Sequence, residues 1–454
     1  MDHNLHPRFL VIGGGPGGHA AATSAATHGA DVTLVEDQII GGAAHLWDCV
    51  PSKAMVASSE RLAAVRAAGD VGIGGAGVGK IDIIQLDRHL ARITSRLAQG
   101  FTDMIESQGV EIIRGRGRFV SPNKAEVETD NGVVPLEFEK ALVSTGSRPW
   151  VPDWAELDGD RLITTREAYS LPELPEHLIV IGSGVTGVEM VHIFSSLGSR
   201  VTLLVSRHHV LPHRDTEVAM VLEDDFLERG VALLKGSRAN SARRDGGGVV
   251  VTTEDGRKVT GSHCLLAVGS TPNTEGLGLE DIGIEIDRGY VAIDEFQRTS
   301  LPHIYAAGDI TGKMPLSSVA SQQGRIVASH VGGRLVEPLD YGKVAQAIFT
   351  KPEIASVGLE EVDAAAEGRK VRITKVPLAA NPKALIDGDP RGFVKVISDP
   401  ATRVVLGGTI VGRHAAELIA SIVLAVTARL RVDQLFAAMM VHPSLAESVS
   451  EAAE

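Results

Sequence analysis

The sequence predicts an α/β protein, and three observations predict it. Twice along the chain a continuous apolar run leads straight into glycines spaced G-x-G-x-x-G, then a helix-compatible stretch and a second apolar run. The two units are well separated, at residues 9–36 and 178–205. The chain has 454 residues, room for roughly three domains of about 150 residues. Each unit reads as a Rossmann-like dinucleotide-binding fold, so two dinucleotides are expected.

In the first unit Phe9-Leu10-Val11-Ile12 has the unbroken apolar character of a buried parallel strand. Gly13, Gly15 and Gly18 occupy the fingerprint positions, an alanine-rich helix runs through Ala20 to Ala26, and a second strand from Asp31 to Val35 ends at Glu36. The glycines permit a tight turn and close approach of a pyrophosphate to the helix N-terminus, and the acid accepts hydrogen bonds from ribose hydroxyls. A glycine turn without ligand is the alternative, but strand, helix and terminal acid together weigh against it.

Residues 54 to 113 read mostly as helix, for example Ile83 to Gln99, with a glycine-rich loop near Gly72 to Gly79. Pro149 and Pro152 mark a boundary. The second unit begins at Leu178-Ile179-Val180-Ile181, with Gly182, Gly184 and Gly187 in the fingerprint places, Glu189 on the helix, and Val201 to Val205 as the next strand. That strand ends Ser206-Arg207-His208-His209, without an acid. Lacking that carboxylate, the site does not repel a 2′-phosphate, and Arg207 can pair with one. NADPH is therefore expected, with NADH as the alternative and a merely solvent-facing arginine as the bland reading. His213 and Arg214 are expected to add positive field.

Composition narrows the class. Hydrophobic residues make up 44%, enough for substantial cores. A formal net charge of −13 argues against a nucleic-acid or anionic-membrane surface. The two cysteines, Cys49 and Cys264, form no disulfide framework and suit a reducing cytosol. Cys264 lies in an apolar strand and reads as buried and inert. No charged-then-apolar leader and no membrane-length apolar run is seen, so a cytoplasmic protein without integral membrane segment is expected.

The stretch Gly41-Gly42-Ala43-Ala44-His45-Leu46-Trp47-Asp48-Cys49-Val50-Pro51-Ser52-Lys53 resembles the flavoprotein disulfide reductases, the family of lipoamide dehydrogenase and glutathione reductase. The family writes it Gly-Gly-Thr-Cys-x-x-x-x-Cys-x-Pro-x-Lys. Here Cys49, Pro51 and Lys53 are kept, and the first cysteine is Ala44. Further matches carry the resemblance over essentially the whole chain: Gly117, Thr145-Gly146-Ser147, Asp309, Ser317, the run Gln346 to Gly358, and His442-Pro443-Ser444-Leu445-Ala446-Glu447.

The resemblance implies a division into residues 1–150 and 271–335 for FAD, 151–270 for NAD(P), and a C-terminal α+β interface domain at 336–454 that makes a homodimer. It implies FAD contacts at Gly13, Gly15, Gly18, Glu36, Gly42, Lys53, Gly117, Thr145, Gly146, Asp309 and Ser317, and nicotinamide contacts at Gly182, Gly184, Gly187, Ser206, Arg207 and Gly269. It gives His442 with Glu447 the acid–base role, Lys53 with Glu189 a place beside the flavin, and Cys49 the flavin-facing sulfur. The bland alternative for His442 is an interface histidine.

Ala44 removes the sulfur that attacks a disulfide substrate, since a disulfide needs two sulfurs in bonding distance. The expected activity is therefore hydride transfer from NAD(P)H to FAD and onward to a small quinone, a variant the segment also resembles. Soluble pyridine nucleotide transhydrogenase, a single-cysteine disulfide reductase and a redox-sensing binding module are the alternatives.

Overall fold

The strand Arg8–Ile12 occupies the middle of a five-stranded parallel sheet in the computed structural model, which describes residues 7–74 and 79–454. Part of the glycine-rich loop expected near Gly72 to Gly79, residues 75–78, lies outside the described residues. The sheet order is Ile304–Ala306, Lys140–Val143, Arg8–Ile12, Asp31–Glu36, Glu111–Arg114. Phe9 and Val11 enter one core with Leu34, Leu142 and Val327, while Leu10 and Ile12 enter another with Val35, Phe119 and Ile304. Both faces are covered, which explains the unbroken apolar run.

Helices Pro16–Thr27 and Ser317–Val331 pack against each other closely enough that a Cβ on Gly324 would lie 2.2 Å from the Gly17 carbonyl oxygen. A three-stranded antiparallel sheet, Arg116–Ser121, Lys124–Thr129 and Gly132–Glu137, covers the other side through Phe119, Ala125 and Val127. These elements belong to one compact unit, made of the chain up to Ser52, Asp87–Trp150 and Gly269–Leu339.

The second unit comprises Lys53–Leu86, Val151–Val268 and Asp340–Glu454. Its parallel sheet has the order Ala232–Lys235, Arg200–Val205, His177–Ile181, His263–Leu266, Leu162–Ile163. Its C-terminal part is an antiparallel sheet, Gln346–Ile348, Ile354–Gly358, Val405–Val411, Phe393–Ser398, Arg372–Pro377. Val394, Val396 and Ile410 of that sheet pack on Ile422 and Val449 from flanking helices. The fold is thus α/β with an α+β C-terminal part, as the sequence predicts.

Two helices differ from expectation in extent. Ile83–Ser107 runs past Gln99, because Phe101 and Ile105 continue the face that Gly100 interrupts. Cys49–Arg66 starts ahead of the expected helical region, with Pro51 in its first turn, where a missing N–H leaves no intrahelical bond unmade. No helix among the described residues is long and apolar enough to cross a membrane.

Candidate dinucleotide and redox sites

The first glycine turn is built from three separate constraints. Gly13 has φ +102°, and a Cβ there would sit 2.4 Å from the Ser144 carbonyl oxygen. A Cβ on Gly18 would sit 1.8 Å from the Gly13 oxygen, so this glycine sets how closely helix meets strand. Gly15 faces open space, with nothing within 4 Å of the place a side-chain methyl would take. The helix that follows has no side-chain cap and no acid in its first turn, so its N-terminal N–H groups are left for an anion.

Glu36 completes this end of the site. Its Oε2 accepts the Gly14 N–H at 2.6 Å and its Oε1 the Gln38 N–H at 2.8 Å. Burial pushes its pKa up to about 7, against those two hydrogen bonds. Asp309 accepts the Ser147 hydroxyl at 2.9 Å, and burial raises its pKa as well. Thr145 is strapped to Asn273, which accepts its hydroxyl at the carbonyl (2.8 Å) and returns a side-chain N–H to the Thr145 carbonyl (2.8 Å). Gly146 has φ +70° and open space, and Gly117 is buried against Ile12. Gly42, φ +54°, faces Gly15, whose Cα would lie 3.0 Å from a Cβ on Gly42. An open glycine cradle at an uncapped helix end, with a buried acid beside it, fits the diphosphate and ribose of FAD.

In the same unit Cys49 Sγ lies 3.3 Å from Ser317 Oγ. His45, next to Ala44, meets the Phe101 ring at a tilt of 54° with centroids 5.0 Å apart, and Phe101 also meets His19 at 4.9 Å. His19 donates from Nδ1 to the Gly15 carbonyl (3.2 Å), and burial holds its pKa down to about 4. Sequence reasoning missed His19, His45, Phe101 and Asn273, because no spacing rule links them. Gly269, φ +119° with open space, accepts the Trp150 N–H at 2.9 Å.

The second unit repeats the turn. Gly182 has φ +113° with its Cβ position 2.1 Å from the Ala267 oxygen, Gly187 would clash at 1.8 Å with the Gly182 oxygen, and Gly184 is open. Helix Val185–Leu197 again lacks a first-turn acid. Ser206, Arg207 and His208 are exposed beyond the strand Arg200–Val205. His213 is exposed, but Arg214 does not add free positive field as expected. Its guanidinium is ion-paired with Glu360 and hydrogen-bonded to Ser356 Oγ (2.8 Å) and Gln346 Oε1 (2.6 Å).

Lys53 and Glu189 form an ion pair at 2.8 Å. The ammonium also lies 4.8 Å above the Phe349 ring, and the Phe349 N–H donates to Glu189 Oε1 at 2.9 Å. His442 Nδ1 meets Glu447 Oε1 at 2.8 Å, and Glu447 Oε2 accepts the Ser444 N–H at 2.9 Å. These contacts hold the Glu447 carboxyl below its usual range, the Ser444 N–H contributing most. The imidazole is largely exposed, with Nε2 left for proton exchange. Cys264 is fully buried and its thiol pKa is raised by that burial.

Comparison with known proteins agrees with this architecture. Residues 7–324 match the family described as pyridine nucleotide-disulphide oxidoreductase, and residues 344–453 match its dimerisation domain. The chain is similar to a Mycobacterium tuberculosis protein named NAD(P)H dehydrogenase (quinone), with 42% identity over 98% of this chain and 93% of that one. It is 33% identical to the dihydrolipoyl dehydrogenase of Geobacillus stearothermophilus, over 100% of this chain and 97% of that one. Among solved structures, LpdA from Mycobacterium tuberculosis matches with TM-score 0.94 and 42% identity over 98% of this chain and 99% of that one. The HOCl-induced flavoprotein disulfide reductase RclA of Escherichia coli matches in fold, with TM-score 0.89 and 24% identity over 98% and 99% of the two chains. The chain belongs to the pyridine nucleotide-disulphide oxidoreductase family, enzymes that use FAD and NAD(P)H.

Proposed function

We propose that this enzyme is an NAD(P)H:quinone oxidoreductase that works without a dithiol relay. The observation that carries the reading is Ala44 in the segment of Cys49: a stretch that would supply two sulfurs supplies one, and a neighbour of that sulfur at 3.3 Å is the Ser317 hydroxyl. Neither cysteine is in a disulfide, and Cys264 is wholly buried. The similarity to the Mycobacterium tuberculosis NAD(P)H dehydrogenase (quinone) supports the same choice of acceptor.

In this reading residues 1–150 and 271–335 hold FAD, 151–270 hold the nicotinamide dinucleotide, and 336–454 join two copies into a homodimer. FAD supplies two-electron redox chemistry that amino-acid side chains lack. Gly13, Gly15, Gly18 and Gly42 admit its diphosphate, Glu36 takes its ribose, and Gly117, Thr145, Gly146, Asp309 and Ser317 contact the remainder. Gly182, Gly184, Gly187 and Gly269 admit the second dinucleotide. Ser206 and Arg207 present donors to a 2′-phosphate, which favours NADPH.

Lys53, held by Glu189, keeps a cation where negative charge develops. Glu447 fixes the His442 tautomer so that Nε2 can deliver a proton to reduced acceptor. Cys49 is not required to form a bond.

The test is anaerobic turnover of purified FAD-loaded enzyme with NADPH or NADH, pairing each with menadione and with oxidised lipoamide. Rapid menadione reduction with negligible lipoamide reduction, unchanged in Cys49→Ser, is the expected result. Appreciable lipoamide reduction that Cys49→Ser abolishes would replace this reading with single-cysteine disulfide chemistry.

A further inference from the structure

Lys395 is fully buried, at 0% exposure, in the strand Phe393–Ser398 of the C-terminal sheet. Its ammonium contacts three carboxylates: Asp215 Oδ2 at 2.5 Å, Glu217 Oε1 at 2.6 Å and Glu361 Oε2 at 3.2 Å. One oxygen from each acid falls within 4.8 Å of the others, a spacing that concentrates negative charge, which Lys395 offsets in part, together with Lys375 on the other oxygen of Glu217 (2.6 Å). Burial disfavours the ammonium, but Asp215 and Glu217 offset this and its pKa is raised.

Two of those acids begin the helix Thr216–Glu228. Asp215 is its N-cap residue, yet makes no side-chain capping bond. Its oxygens point elsewhere: Oδ1 accepts the Val362 N–H at 2.9 Å, and Oδ2 takes Lys395. A cap bond stabilises a helix start, and here it is forgone for attachment to the C-terminal domain. Arg214, one residue earlier, is attached to that domain too, through Glu360, Ser356 and Gln346.

The segment entering this helix is the one that follows the second strand of the second dinucleotide fold. It is pinned residue by residue. The Leu211 N–H donates to the carbonyl of Ser183, inside the glycine turn, at 2.9 Å. The Val210 N–H donates to Glu223 Oε1 at 2.9 Å, and His209 Nδ1 meets Glu223 Oε2 at 3.2 Å. Glu223 lies on the helix that Lys395 anchors. Ser206, Arg207 and His208 are left exposed at the strand end, where a dinucleotide fold reads the adenosine ribose.

We infer that Lys395, with Asp215 as its partner, is a positioning residue for the nicotinamide dinucleotide: it fixes the helix Thr216–Glu228, and through Glu223 the segment that presents Ser206 and Arg207. The inference rests on the reading that the second glycine fold binds NAD(P)H. It assigns to the C-terminal domain a part in dinucleotide affinity, separate from any part in joining two copies. Removing the ammonium leaves the buried Asp215 carboxylate without a cation, whereas Glu217 keeps Lys375 at 2.6 Å, and the unpaired charge displaces the helix start.

The experiment is anaerobic stopped-flow reduction of the enzyme-bound flavin by NADPH in the FAD-loaded full-length protein, parent against Lys395→Met. The NADPH dissociation constant is expected to rise about tenfold, with the limiting reduction rate within about twofold of the parent. An unchanged dissociation constant, or a loss of limiting rate alone, overturns the inference. Should Lys395→Met not accumulate as FAD-loaded protein, Asp215→Asn decides by the same readout, since it keeps an acceptor for the Val362 N–H and removes both the charge and the acceptor that hold Lys395. A parent protein whose flavin NADPH does not reduce would overturn the underlying reading, an outcome distinct from a normal parent with unaffected variants.

Discussion

Glu189 Oε2 lies 2.8 Å from Lys53 Nζ, and its other oxygen is taken by the Phe349 N–H at 2.9 Å. The carboxylate is thus fixed at both ends, and the ammonium with it. Lys53→Met is expected to slow flavin reduction by NADPH by about 10²-fold, the scale of losing a preorganised charge. Glu189→Gln, which keeps the Phe349 acceptor, should cost less, roughly tenfold. Stopped-flow bleaching of the flavin absorbance checks both, and a larger effect of Glu189→Gln than of Lys53→Met would reverse the assigned order.

Two glycines of the second turn make a paired prediction. Gly184 has open space where a methyl would go, whereas a Cβ on Gly187 would lie 1.8 Å from the Gly182 oxygen. Gly184→Ala should therefore fold normally, keep FAD, and raise the KM for NADPH about tenfold or more by occupying the diphosphate approach. Gly187→Ala should lower thermal stability directly. Equal melting temperatures for the two variants would contradict this division.

With Glu36 taking the FAD ribose as proposed, FAD binding is expected to depend on pH. Its carboxyl titrates near 4.5 in an unfolded chain and near 7 in the folded protein, because burial disfavours its charge. A raised carboxyl pKa gives stability that is full below 4.5 and lost as pH rises through 7, so the folded apoprotein holds a proton there. Ribose hydroxyls donate to the ionised form, so FAD binding must expel that proton below pH 7. FAD affinity should rise between pH 5.5 and pH 7.5, by at most about tenfold per pH unit, and level off above. Titration of apoprotein with FAD at both pH values checks this, and a flat profile, or Glu36→Gln with the same slope, would exclude it.

Two histidines predict acid lability. Burial holds His19 down to about 4 and His192 to about 3, against 6.5 when unfolded. Below pH 6.5 the unfolded chain binds protons that the folded chain does not, so stability is full above 6.5 and falls as pH drops toward 4 and then 3. Urea unfolding from pH 7 to pH 4.5 should show the decline, and His192→Asn should flatten it relative to the parent. An unchanged slope in that variant would remove His192 from the account.

How much of this is legible in sequence follows from how local each constraint is. Gly13, Gly18, Gly182 and Gly187 can be read directly, since backbone angles and strand–helix contact act over a few residues. Glu36, at the end of the next strand, is also within reach of a spacing rule. Arg214 is not: its sign suggests a free cation, but its partner Glu360 lies 146 residues later. The Thr145–Asn273 strap and the Lys395 cluster are hidden for the same reason, because a charge or amide carries no mark of the distant group it meets. The helix Ile83–Ser107 lies within the region 54–113 that reads as mostly helical, and packing of Phe101 and Ile105 carries it past Gly100.

The complete burial of Cys264 has a practical consequence. A maleimide or dithionitrobenzoate reagent meets two thiols in the denatured chain and only Cys49 in the folded one. Thiol stoichiometry therefore counts folded molecules, and a fluorophore or spin label attached under native conditions lands at one known position. That position neighbours Ser317, so a probe there reports on the segment around Ala44 and Cys49 without any engineered cysteine.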